Sequence, residues 1–173
     1  DYAEWQEWLA SRVRIAVEGT AGRIGLGVEV NELLSEELSI PDVVLNAYAE
    51  DGYKLGATLL FSDNTSAVSG SVQVDGELWY DNSGNPMAKA SLSDSFVMLY
   101  NNRWDLVAKK IEYDSESLAV DDFTLSSNDQ RIFLDGVVAA NENTPLRLEL
   151  GNVHLGDLAE VLLGMKDVEG GVN

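Results

Sequence analysis

The chain has no cysteine, a single histidine and only three prolines among its 173 residues. Without thiols there are no disulfides. That suits a periplasmic protein built without bridges and a cytosolic one equally. Zinc and haem lack a donor set, and a Ser-His-Asp or Cys-His centre would rest on His154 alone. His154 reads instead as a surface residue at a strand end. No phosphate-binding or dinucleotide fingerprint occurs. Eleven basic residues against thirty acidic ones give a net charge of −19, which repels phosphate backbones, so no nucleic-acid partner is expected. No apolar run approaches the ~18 residues of a membrane-spanning helix. Proline is scarce and no Gly/Ser tract appears, so residues 1–173 read as one unit without a linker.

What is present is alternation. Hydrophobic residues make up 45% of the chain, enough for an ordered core. Between Trp104 and Leu155 four strands follow one another, starting at 104, 118, 130 and 146. Each has one apolar face and each ends in a turn, the pattern of an antiparallel meander. In 104–113 the pair Trp104/Leu106 is out of phase with Ile111/Tyr113, which predicts a bulge near Lys109-Lys110. The step from Val120 to Phe123 also changes parity and predicts a second bulge.

Upstream, the spacing of Asp1 and Glu4 and the stripe Tyr2, Trp5, Trp8, Leu9 predict a short amphipathic helix over 1–11. Strands follow at 12–18 and 23–30, and residues 32–38 suit a helical turn before Pro41. Asp51-Gly52 joins 42–50 to 53–61 as a hairpin, and Asp75-Gly76 joins 67–75 to 77–81 in the same way. Shorter strands are expected at 87–93 and 96–100. Asp157 can cap a helix carrying Leu158, Val161 and Leu162, stopped by Gly164. The opening Asp1-Tyr2-Ala3-Glu4 carries no signal peptide, and Val168–Asn173 resembles a strand beginning. Both ends read as those of an excised piece.

Three motifs invite chemistry. Glu112, Asp114 and Glu116 have the E-x-D-x-E spacing of an active-site strand in jelly-roll glucan hydrolases. Yet Ser115 begins a turn, so a solvated strand end is the preferred reading. Asp81-Asn82-Ser83-Gly84-Asn85 mimics a calcium loop, but position twelve is Leu92 rather than a glutamate; a hairpin loop fits better. Asn64-Thr65-Ser66 is a glycosylation sequon in a loop.

The expected fold is all-β: a curved, mostly antiparallel meander forming an open apolar groove, with short flanking helices. The inward rows are Val68, Val72, Val74, Leu78 and Tyr80; Leu118, Val120, Phe123 and Leu125; Ile132 and Leu134; and Leu146, Leu148 and Leu150. The outward set is Ser71, Gln73, Glu77, Arg131, Asp135, Arg147 and Glu149. About a dozen strands at ~4.8 Å spacing give a trough roughly 50 Å long.

The order W-x-L…I-x-Y-D-S…L-x-V-x-x-F-x-L-S…D-Q-x-I-x-L-D-G…P-L-x-L-x-L resembles the TamB family, in its Bacteroidetes forms, over about residues 43–172 and best over 104–155. This is the AsmA-like, inner-membrane-anchored periplasmic subunit of the translocation and assembly module. The resemblance implies a segment of a longer bridge protein that holds phospholipid acyl chains on its apolar wall. It also implies a part in lipid transport to the outer membrane and in outer-membrane protein assembly, with an outer-membrane barrel as partner of the full-length protein. It implies no enzyme activity, cofactor, catalytic residue or metal. Two other classes remain open from the residues: a glycan-active jelly-roll enzyme and a structural or adhesion β-sandwich.

Overall fold

The computed structural model describes residues 2–5, 8–34, 39–62, 68–99, 102–139, 145–154 and 171–172. Eleven strands form one sheet in chain order, every neighbour antiparallel. They are β1 (Tyr2–Trp5), β2 (Trp8–Thr20), β3 (Arg23–Leu34), β4 (Ser39–Glu50), β5 (Lys54–Ser62) and β6 (Val68–Tyr80). The sheet continues with β7 (Pro86–Leu99), β8 (Asn102–Tyr113), β9 (Ser117–Ser127), β10 (Gln130–Ala139) and β11 (Leu146–Gly151). A second, two-stranded sheet pairs β12 (Val153–His154) with β13 (Gly171–Val172). The large sheet is open, with β1 and β11 at its edges. The all-β meander is as expected; no helix occurs among the described residues.

The N-terminal helix is therefore corrected. Residues 2–5 and 8–11 are strand, paired through Tyr2↔Ser11 and Trp5↔Trp8. An isolated helix of about eleven residues is marginal, whereas aromatic residues favour strands when a partner is at hand. The helical turn over 32–38 fails in part, since β3 runs on to Leu34. Residues 35–38, the sequon and the expected helix after Asp157 lie outside the described residues.

The two Asp-Gly dipeptides part company. Asp51 (φ 53°) and Gly52 (φ 77°) make the expected turn, but the loop has three residues rather than two: Glu50 pairs with Lys54, so Tyr53 belongs to the loop and not to the strand. Asp75 and Gly76 do not turn: β6 runs unbroken past them, and Gly76 pairs with Leu55 on one side and Ala90 on the other. A Cβ at Gly76 would lie 2.6 Å from the Lys89 carbonyl oxygen, so this glycine serves a close backbone approach. The two short strands expected at 87–93 and 96–100 are likewise one strand, β7, with an irregularity at Asp94 (φ 48°). The Ser95 hydroxyl heals it by accepting the Gln73 N–H at 2.8 Å.

Both predicted bulges are present. Ala90 pairs with Ile111 and Leu92 with Ala108, so β8 spends three residues where β7 spends two, across Lys109-Lys110. Leu134 pairs with Phe123 and Gly136 with Val120, so β9 does the same across Asp121-Asp122. Each bulge returns the following apolar residues to the face they would otherwise leave.

Candidate functional site

Antiparallel partners share a face, so the registers define the apolar surface directly. One row runs unbroken across ten strands: Val17, Leu26, Ala47, Ala57, Val74, Leu92, Ala108, Phe123, Leu134 and Leu148. Parallel to it run Leu106, Leu125, Ile132 and Leu150 on one side. Ile111, Val120 and Leu146 lie on the other, followed by Leu78, Tyr113, Leu118 and Val138. The strand alternation of β6 adds Val68, Val72 and Tyr80. All fourteen residues expected inward stand on this one face. The expected outward set, Ser71, Gln73, Glu77, Arg131, Asp135, Arg147 and Glu149, stands on the other.

The apolar face is unevenly covered. Where β8 begins and β9 ends, Trp104 (2% exposed) and Val153 (0%) are buried together, with Leu99, Leu125, Ile132 and Leu150 packed around them. Asn152, at φ 51°, turns the chain out of β11 so that Val153 folds back over the face. At the opposite strand ends Val17 (70%), Tyr80 (69%), Leu118, Val138 and Leu146 are exposed. Tyr53, in the β4–β5 hairpin, is exposed at that same side.

On the polar face arginines cover three aromatic rings, while Trp79 stays exposed. Arg23 lies over Tyr48 at 4.5 Å, Arg103 over Phe96 at 4.1 Å and Arg131 over Phe133 at 4.9 Å. Ion pairs Arg14–Glu29 (2.6 Å) and Arg103–Asp105 (2.7 Å) add to this surface. A hollow of about 630 Å³ also lies here, lined chiefly by Arg14, Ala16, Glu18, Arg23, Gly25, Gly27 and Tyr48. Sequence reading missed it, because its depth comes from two glycines bearing nothing on a strand flanked by long side chains.

The carboxylate motifs resolve into turns. Asp114 accepts the backbone N–H groups of Ser117 (2.6 Å) and Glu116 (3.1 Å). Hydrogen bonds from the Ser117 side chain and backbone, then from the Glu116 backbone, hold its carboxyl below the ordinary value. Glu112 is in β8, while Glu116 lies in the bend beyond it. The three carboxylates do not share a strand, and the glucanase geometry is absent. Asp81 caps the hairpin loop in the same manner, accepting from Ser83 N (2.7 Å) and Asn85 N (2.8 Å).

Asp121, Asp122 and Asp135 converge at the β9 bulge, a cluster that sequence reading did not single out. Their contacts are structural. Asp135 accepts the Asp122 N–H at 3.3 Å, a donor the bulge leaves out of the ladder, and Lys109 approaches Asp122 at 3.4 Å. His154 falls in β12. Among the described residues no helix is long and apolar enough to cross a membrane.

No protein-family model, curated protein or solved structure matches this chain.

Proposed function

We propose that this chain is a segment of a periplasmic, TamB/AsmA-like lipid conduit, anchored to the inner membrane in its full-length form. It holds phospholipid acyl chains on its apolar face and does no covalent chemistry. In the whole protein it serves lipid transport to the outer membrane and outer-membrane protein assembly, alongside an outer-membrane barrel partner. One observation carries this reading: an apolar row ten strands wide in which Val17, Leu26 and Leu148 are exposed and Val74, Leu92, Phe123 and Leu134 are only half-buried. A single uncovered sheet must find an apolar partner for such a surface. On the polar face arginines stack on Tyr48, Phe96 and Phe133, and Leu60, Trp79 and Val107 are exposed there singly rather than in a continuous row.

Acyl chains suit the surface because they need no polar contact and gain ~25 cal/mol per Å² of apolar area buried. The glycan-hydrolase alternative is disfavoured by the separation of Glu112, Asp114 and Glu116 between a strand and its turn. The sandwich alternative asks for a second sheet over the apolar face. Among the described residues only β12 and β13 form another sheet, and Val153 of β12 covers just one end.

The test is native mass spectrometry of the purified protein after exposure to phospholipid vesicles, with photo-crosslinking side chains at positions 134 and 148. Position 147, on the opposite face, is the control. Lipid adducts at 134 and 148 but not 147 support the conduit. Equal labelling at all three, or no lipid in a folded sample, rules it out.

A further inference from the structure

We infer that the polar face carries a site for one guanidinium group, the side-chain tip of an arginine on a basic partner protein. It is held between the Trp79 ring and the carboxylates of Glu112 and Asp114. The site lies on the face opposite the apolar row and does not rest on the lipid-binding reading.

The polar face supplies its own precedent. Among the described residues four of its side chains are aromatic: Tyr48, Trp79, Phe96 and Phe133. Three of these rings carry a guanidinium, from Arg23, Arg103 and Arg131. At two rings the cation is also held by a carboxylate two residues along its own strand. Arg103 covers Phe96 at 4.1 Å while its Nε donates to Asp105 at 2.7 Å. Arg147 lies 6.0 Å from the Phe133 ring and donates to Glu149. A ring on one side and a carboxylate at the edge suit a flat, delocalised cation that stacks and donates at once.

Trp79 has the ring and the carboxylates without the cation. It is 38% exposed, and no arginine or lysine among the described residues lies over it. Trp79 pairs with Met87 on β7, and Ala88 pairs with Tyr113 on β8, which brings the end of β8 alongside. Trp79, Met87, Glu112, Asp114 and Ser117 line a hollow of about 190 Å³. Sites that enclose a whole small molecule run to ~300–1,000 Å³; this one suits the tip of a single side chain. Asp114 is held in place by the backbone N–H groups of Glu116 and Ser117, both on its Oδ1. Lys110 lies 3.1 Å from Oε2 of Glu112, and the Oε1 has no partner among the described residues. Lys89 stands opposite Glu112 in the register but makes no ion pair or ring contact among the described residues. A chain of net charge −19 draws a basic partner toward such a site.

The test follows the tryptophan indole N–H signals by NMR as an acetyl-Gly-Arg-Gly-Arg-Gly-amide peptide is added, with Trp79→Leu identifying the Trp79 signal. That signal should move and saturate, while the signal of the buried Trp104 stays in place. Glu112→Gln should weaken binding about tenfold, the loss of one charge-assisted contact. Glu18→Gln removes the same charge on β2, four strands away from β6, and should leave binding unchanged. The lysine counterpart of the peptide should bind several-fold more weakly, because an ammonium lacks the flat fork. No movement at Trp79, or equal weakening by the two glutamine variants, overturns the site. Equal binding of the lysine peptide overturns its assignment to a guanidinium.

Discussion

Strand β8 presents two aromatic residues on the same face, and they live in different surroundings. Trp104, near its start, is 2% exposed; Tyr113, at its end, is 43% exposed. Both were put on that face by the same rule, alternation plus one bulge. What separates them is a single valine arriving from forty-nine residues away: Val153 covers Trp104, and nothing among the described residues covers Tyr113 in that way. Alternation decides which face a side chain takes. It says nothing of whether that face is roofed.

The sharpest way to break the comparison is to truncate both rings. Trp104→Ala should cost about 3–5 kcal/mol of unfolding free energy, as expected of a large buried side chain. Tyr113→Ala should fall within about 0.5 kcal/mol of the parent. Urea denaturation followed by circular dichroism measures both. Equal losses would mean that the open end is covered in solution, by a second copy or by chain folding over it.

Backbone geometry comes next in size. Gly136 has φ 129°, and a Cβ there would lie 2.3 Å from the Pro145 carbonyl oxygen. Gly136→Ala should therefore destabilise by about 1–3 kcal/mol, with the loss centred on the β10–β11 pairing beyond the bulge. Hydrogen exchange resolved by residue would show it as lost protection in β10 and β11 and unchanged protection in β2 and β3.

Leu148 turns the comparison toward function. It is 59% exposed and stands in the ten-strand row. Leu148→Asp should leave stability within about 0.5 kcal/mol. It should weaken lipid retention about tenfold or more, since an unpaired carboxylate against acyl chains costs at least ~1–3 kcal/mol. Arg147→Ala, one residue away on the opposite face, should do little to either. Quantitative native mass spectrometry of the two variants against the parent separates these outcomes. Equal retention in all three would place the lipid elsewhere.

How far the sequence revealed this can be judged on particular residues. The face of every expected inward residue was legible, because a period of two carries it and parity breaks at 109–110 and 121–122 announce their own bulges. The unbroken run from Val68 to Tyr80 was equally legible in the alternation of Val68, Val72, Val74, Leu78 and Tyr80. The Asp75-Gly76 dipeptide obscured it, because the same two letters make the turn at 51–52. What distinguishes them is the backbone of Lys89 against Gly76, a contact with a strand that had yet to be placed. The roof over Trp104 was illegible for the same reason. Val153 reads as one more strand valine until the turn at Asn152 directs it inward.

The smallest expected effect belongs to the turns at the open end. Asp81 is held below the ordinary carboxyl value of 3.8, first by the Asn85 backbone N–H and then by the Asn85 side chain. Asp114 is held low first by the Ser117 side chain and then by its backbone N–H. A depressed folded-state pKa means that each turn's contribution is fully present above the unfolded value. It declines as pH falls below 3.8 and is lost once pH passes through the folded value. Asp114 is exposed and Asp81 lies at the surface, so water screens the effect and global unfolding at neutral pH should not register it. The measurable quantity is the carboxyl carbon shift of each aspartate followed by NMR from pH 6 downward. Midpoints below 3.8 at both positions are expected in the parent. Asn85→Ala should raise the Asp81 midpoint toward 3.8 while leaving Asp114 unchanged, because the two turns share no partner. A parent midpoint at or above 3.8 would show that these loops do not hold the capped geometry in solution.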